Sequence, residues 1–112
     1  MGSSIKISTS EIKGWLVVNL SGRLDALTAD QTLQAMLACI SADNPKIAAD
    51  ASGLEYMSSA GIRTLLLAAK GAARVPGGAF AVLNPSPVVR KILAESGLDA
   101  LLGVTGELPE PV

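Results

Sequence analysis

Trp15-Leu-Val-Val-Asn-Leu-Ser21 places Leu16, Val18 and Leu20 on one face of an extended strand and Trp15, Val17 and Asn19 on the other. The first face is the greasier, as expected of a sheet whose second face stays mostly open. Upstream, Ile5-Lys-Ile-Ser-Thr9 alternates more briefly and Glu11-Ile-Lys-Gly14 supplies a turn, so the two runs are expected to pair as an antiparallel hairpin. Downstream, Thr28-x-x-Gln31 has capping-box spacing, and Leu33, Met36, Leu37 and Ile40 follow at three- and four-residue intervals. That pattern predicts an amphipathic helix ending near Ala42. Asn44-Pro45 breaks the chain, and Lys46-Ile-Ala-Ala-Asp50 predicts an interior strand. Strand, helix, strand in that order implies a parallel crossover.

A second helix starts near Ser58 or Ser59, with Ile62, Leu65, Leu66 and Ala69 on its buried stripe, and fades through Gly71-Ala-Ala73. Pro76-Gly-Gly78 turns the chain into another strand, Ala79-Phe-Ala-Val-Leu83. Ser86 then caps a third helix with Pro87 in its first position and Gly97 at its end. The order is β-β-α-β-α-β-α, with room for a last short strand near Leu101 to Val104. Parallel crossovers are right-handed, so a strand order that steps along the sheet puts every helix on one face. The fold class expected is therefore α/β: one domain over residues 1–112, a mixed four- to five-stranded sheet, and helices mainly on one face. The ordered core is expected over about residues 5–102, and the tail 103–112, with Pro109 and Pro111, is expected to be flexible.

Composition narrows the function. A formal net charge of -1 gives no cationic field for a phosphate backbone, so nucleic-acid binding is disfavoured. Apolar residues arrive in short blocks, none reaching the roughly 18 to 20 that a membrane span needs. Met1-Gly-Ser-Ser4 lacks the apolar core of a signal peptide, and Lys6 stands where a myristoylation signal needs Ser or Thr; a cytoplasmic address is expected. The single cysteine, Cys39, reads as a packed helix residue. With no histidine in the chain, neither a serine-hydrolase base nor a Cys/His zinc site can be assembled, and Asp25, Asp50 and Glu55 lack calcium-loop spacing. The expectation is a binding protein with no enzymatic activity, cofactor or metal.

Loops at the carboxyl ends of parallel strands are where ligands and partners meet such a sheet. Ser21-Gly-Arg-Leu-Asp25, Asp50-Ala-Ser-Gly-Leu54, Tyr56-Met-Ser-Ser-Ala-Gly61 and Asn84-Pro-Ser-Pro87 are expected to converge there. Ser59, or its neighbour Ser58, opens the second helix, where unpaired N–H groups and the positive dipole end favour an anion. The plainer role is an N-cap, and a capping hydroxyl can also be a phosphoacceptor.

Gly22-Arg-Leu-Asp25, Asp50-x-Ser52 and Met57-Ser-Ser-Ala-Gly-Ile62 resemble, in order and spacing, the landmarks of the STAS domain of bacterial anti-sigma-factor antagonists. The resemblance covers residues 5–102. It implies a partner switch. The unmodified antagonist binds a serine-kinase anti-sigma factor with a histidine-kinase-like ATPase fold. Phosphorylation of a serine opening the second helix releases it, and a serine phosphatase resets it. Aligning the family glycine with Gly61 places the phosphoacceptor on Ser59, with Ser58 the alternative. Asp25, Asp50 and Gly61 would shape the acceptor pocket or orient the hydroxyl. Arg23, Met57, Ser58, Ile62 and Arg63 would contact the partner, although Met57 and Ile62 read equally well as core. The chain departs from the family at Ser58, where Asp is common, and in lacking a full final helix. Other STAS domains imply two alternatives: an accessory subunit of a membrane lipid transporter, and a small-ligand-binding module.

Overall fold

The structure, a computed structural model, describes residues 3–109. Strands β1 (Ile5–Ile12) and β2 (Trp15–Leu24) form the expected hairpin, longer than the alternation alone indicated. The turn between them puts Lys13 and Gly14 both at positive φ, 53° and 83°, the backbone signature of a tight two-residue hairpin turn. There follow α1 (Ala29–Cys39), β3 (Lys46–Met57), α2 (Ser59–Ala73), β4 (Ala79–Leu83), α3 (Pro87–Ser96) and β5 (Val104–Thr105). The sheet order is β1-β2-β3-β4-β5, antiparallel only at the first pair.

Strand order thus steps along the sheet, and the helices do share one face. Met36 of α1, Leu65 and Ala68 of α2, and Val89 and Leu93 of α3 join Val18, Leu20, Ile47, Ala49 and Val82 in one buried cluster. The opposite face of the same strands carries a smaller one, Trp15, Val17, Ala48, Ala81 and Leu83, closed over by Leu108. The chain after residue 102, expected to be flexible, therefore joins the fold as far as residue 109: β5 adds an edge to the sheet and Leu108 is 3% exposed. Glu110, Pro111 and Val112 lie outside the described residues.

Two local readings change. Thr28 makes no capping box: it sits in helical geometry with no side-chain cap bond. Its buried Oγ1 instead donates to the Arg23 carbonyl (2.8 Å) and accepts from the Asp25 N–H (3.0 Å), tying the β2–α1 corner together. β3 runs on to Met57, seven residues beyond the expected Asp50, because it holds one extra residue against β2 at each of two bulges. α3 follows expectation: Ser86 Oγ accepts from the Val89 N–H at 3.4 Å, and Gly97 closes the helix in the left-handed conformation.

Candidate functional site

The carboxyl ends of β2 and β3 reach further than that of β4, and the site forms there. Leu24 pairs with Met57 in register, and the Ser58 N–H donates to the Leu24 carbonyl at 3.0 Å. The β2–α1 corner is thereby pinned to the opening of α2. Thr64 Oγ1 lies within hydrogen-bonding reach of the Ala60 carbonyl of its own helix (3.1 Å) and of the Ala29 carbonyl at the start of α1 (3.3 Å), which packs the two helices together at this corner.

The two serines of this opening face different surroundings. Ser59 is exposed in the first turn of α2. Ser58 is the N-cap, with extended geometry (φ -95°, ψ 178°), yet its hydroxyl caps nothing: Oγ is buried and has no hydrogen-bond partner among the described residues. Ser58 thus does not present its hydroxyl to solvent, and the first-turn N–H groups of α2 lack a side-chain cap. That leaves the electropositive helix end free to favour an anion on the neighbouring side chain.

Asp25 stands beside this opening and is firmly held. Its Oδ1 accepts from the Leu27 N–H at 3.0 Å, its Oδ2 accepts from Ser3 Oγ, and Arg23 Nε lies 3.6 Å from Oδ2. The Ser3 hydrogen bond is the main force holding the Asp25 carboxyl below its ordinary pKa. Desolvation opposes it, and Leu27, Arg23 and Thr28 reinforce it. A carboxylate whose folded-state pKa is depressed adds stability above its unfolded-state pKa, and that stability disappears as pH falls through the folded value. Thermal melts from pH 7 downward should therefore show Asp25→Asn less stable than wild type at neutral pH, with the gap closing in acid below the ordinary carboxylate range. A gap independent of pH would remove the ionised carboxylate from the account.

Arg23 also stacks its guanidinium 4.6 Å from the centroid of the Tyr56 ring, which stiffens an exposed pair at the strand ends. Leu27, 74% exposed, projects from the same corner. Between α1 and α2 runs a groove of about 250 Å³ lined by Ala26, Ala29, Leu33, Ala60, Arg63 and Leu67. The motif reading assigns no role to Leu27 and names Tyr56 only as the start of a converging segment. The one available signal was an apolar residue in Asp25-Ala-Leu-Thr28 with no helical or strand partner at the right spacing.

Other expected site residues fall elsewhere. Asp50 lies in mid-sheet on the open face, opposite the helices, with Oδ1 accepting from the N–H and Oγ of Ser52 at 2.9 and 2.7 Å. Its partner position, Asn19, is about 16 Å from Leu24 at about 3.3 Å per residue, so Asp50 takes no part in an acceptor pocket at Ser59. The 50–54 segment is strand rather than loop. Asn84-Pro-Ser-Pro87 packs back on β3, Ser86 Oγ donating to the Leu54 carbonyl at 2.7 Å. Met57 is 1% exposed and belongs to the core, leaving no surface for a partner. Ile62 is half-buried against that core. Gly61 is buried and its close approach is to the protein's own β2–α1 corner rather than to a partner's backbone. Arg23 and Arg63 are exposed, as a contact surface requires.

A helical layer over one face of a mixed sheet, with an exposed serine opening the second helix beside an anchored aspartate, defines a small α/β domain of STAS architecture. The family model described as Mlab, STAS domain matches residues 8–103, and the chain belongs to the STAS domain family. It is 29% identical over 100 residues to BtrV of Bordetella bronchiseptica, an inferred anti-sigma factor antagonist, across 89% of this chain and 85% of that one. Among solved structures, an anti-sigma factor antagonist from Mycobacterium paratuberculosis superposes with a TM-score of 0.79 at 26% identity, covering 94% of this chain and 88% of the other. The Bacillus anti-sigma factor antagonist SpoIIAA, in its unphosphorylated form, gives 0.71 at 23% identity over 93% of this chain and 90% of its own. Among the described residues no helix is long and apolar enough to cross a membrane.

Proposed function

We propose that this protein is an anti-sigma-factor antagonist that acts in the cytoplasm by exchanging partners, with Ser59 as its switch. Unmodified, it binds a serine-kinase anti-sigma factor of histidine-kinase-like ATPase fold; phosphorylated on Ser59, it lets go, and a serine phosphatase restores it. The observation that carries this reading is the contrast at the α2 opening, where the Ser59 side chain is exposed and the Ser58 hydroxyl is buried. The β2–α1 corner that is pinned to this opening carries Arg23, Asp25 and Leu27, and α2 carries Arg63, a surface part charged and part apolar and suited to a protein partner. Names carried by the Bordetella and Mycobacterium relatives support the same direction.

The chemistry belongs to the partner. The kinase transfers the γ-phosphoryl group of ATP to Ser59 Oγ, the hydroxyl proton leaves and ADP is released. This chain contributes an accessible hydroxyl on a rigid helix end. Incubation with the cognate kinase and ATP, followed by intact-mass and fragment measurement, should show one added phosphoryl group, located on Ser59. Modification of Ser58 instead, or of neither serine, would refute the assignment.

Membership of the STAS family leaves a second reading, since other STAS domains serve membrane lipid transporters: an accessory subunit that binds through this surface without phosphate control. It predicts no mass increase and partner capture indifferent to charge at position 59.

A further inference from the structure

On the sheet face opposite the helices, the apolar half built by Trp15, Val17, Ala48, Ala81 and Leu83 borders a polar half built by Lys6, Ser8, Asn19, Ser21, Asp50 and Ser52. The polar half is exposed at Lys6, Ser8, Ser21 and Ser52. The apolar half is covered by the chain's own end. After the two residues of β5, Gly106 is exposed, Leu108 inserts into the apolar cluster, and Pro109 returns to solvent. The segment is fastened from the far end of the molecule's sequence. Lys13, in the β1–β2 turn, donates to Glu107 Oε1 at 3.0 Å and to the Leu108 carbonyl at 3.3 Å, while Thr105 Oγ1 donates to the Glu107 carbonyl at 2.8 Å.

Among the described residues, the inserted Leu108 side chain, the Lys13 ammonium and the Thr105 hydroxyl hold this cover, and the Glu107 carboxylate that pairs with Lys13 is 81% exposed and open to screening by salt. The sheet beneath it is held by backbone pairing on both sides of β2, β3 and β4. Segments held by few buried contacts open locally, at free energies well below that of global unfolding. We infer that residues 106–109 form a releasable strap, latched by Lys13, that opens while the domain stays folded and thereby gates an apolar surface centred on Trp15. This gate is on the face opposite α2 and does not depend on what Ser59 does.

Trp15 is the chain's only tryptophan and 6% exposed, so it reports the strap directly. Leu108→Ser and a chain lacking residues 107–112 should each show red-shifted Trp15 emission and a several-fold rise in acrylamide quenching, while circular dichroism and cooperative melting are retained. Lys13→Gln and added salt on the wild type should give smaller increases in the same direction. A quenching rise that subsides at high protein concentration as a dimer forms also supports the gate, with a second copy replacing the strap. Trp15 shielded in Leu108→Ser as in wild type, or exposed only at the midpoint of global unfolding, overturns it.

Discussion

Ser59→Asp is expected to lose the kinase-type anti-sigma factor and Ser59→Ala to keep it, with at least about a hundredfold between their dissociation constants. That ratio corresponds to about 2.8 kcal/mol. On the proposed reading Ser59 lies on the surface that binding covers, so a charge placed there must shed its water against the partner or stay solvated by keeping the partner away. Asp25 already brings one carboxylate to the same rim, its charge favoured by the Ser3 hydrogen bond. A second negative group adds repulsion to desolvation. Phosphate carries about -1.5 to -2 charges against one for aspartate, so phosphorylated protein should bind more weakly still. The fold itself should hardly respond. Ser59 is exposed and an anion suits the first turn of a helix, so melting of both variants should stay within roughly 0.5 kcal/mol of wild type. Calorimetry with the purified partner measures the three constants. Equal values for wild type, Ala and Asp would end the switch reading and leave the accessory-subunit reading standing.

Sequence periodicity locates every helix and the succession of strands along the chain, because the greasy faces of β2 and α2 repeat at the spacing their geometry demands. It stopped short at Asp50 for a definable reason. From Ala51 onward β3 buries every third residue, Ala51, Leu54 and Met57, since its two bulges each insert a residue against β2. A rule of two finds no strand there, and four loops were expected to converge where only two do. The Asp50 side chain was placed at a strand end for the same reason. The packing of the segment after β5 is illegible for another reason: Leu108 is one apolar residue among Gly, Glu and Pro, with no period, and its placement depends on a lysine in the first hairpin. At the α2 opening, the position of Ser59 in the first turn is legible from the motif, while the inaccessibility of Ser58 Oγ depends on packing between elements far apart in sequence.

Gly61→Ala is expected to destabilise the domain by about 2 kcal/mol net and to disturb Ser59 with it. A Cβ at Gly61 would lie 2.7 Å from the Leu24 carbonyl oxygen, 2.7 Å from Met57 Cγ and 2.9 Å from Leu24 Cγ. Met57 and Leu24 are almost wholly buried, so neither can swing into solvent. The carbonyl is the acceptor of the Ser58 N–H, so relieving the contact means lengthening the bond that pins α2 to β2. Overpacking of this kind costs about 1 to 3 kcal/mol, and the lost hydrogen bond roughly 1 kcal/mol more. Alanine's better helix propensity returns at most about 1 kcal/mol. The melting temperature should drop by about 10 °C at this chain length. Gly106→Ala is the control, since a Cβ there meets nothing closer than Asn84 Oδ1 at 3.6 Å. Because Ser59 begins the helix that must move, the Gly61 variant should also be a poorer kinase substrate at temperatures where it remains folded. Unchanged melting would mean the corner yields freely, and the fixed position assigned to Ser59 would have to be abandoned.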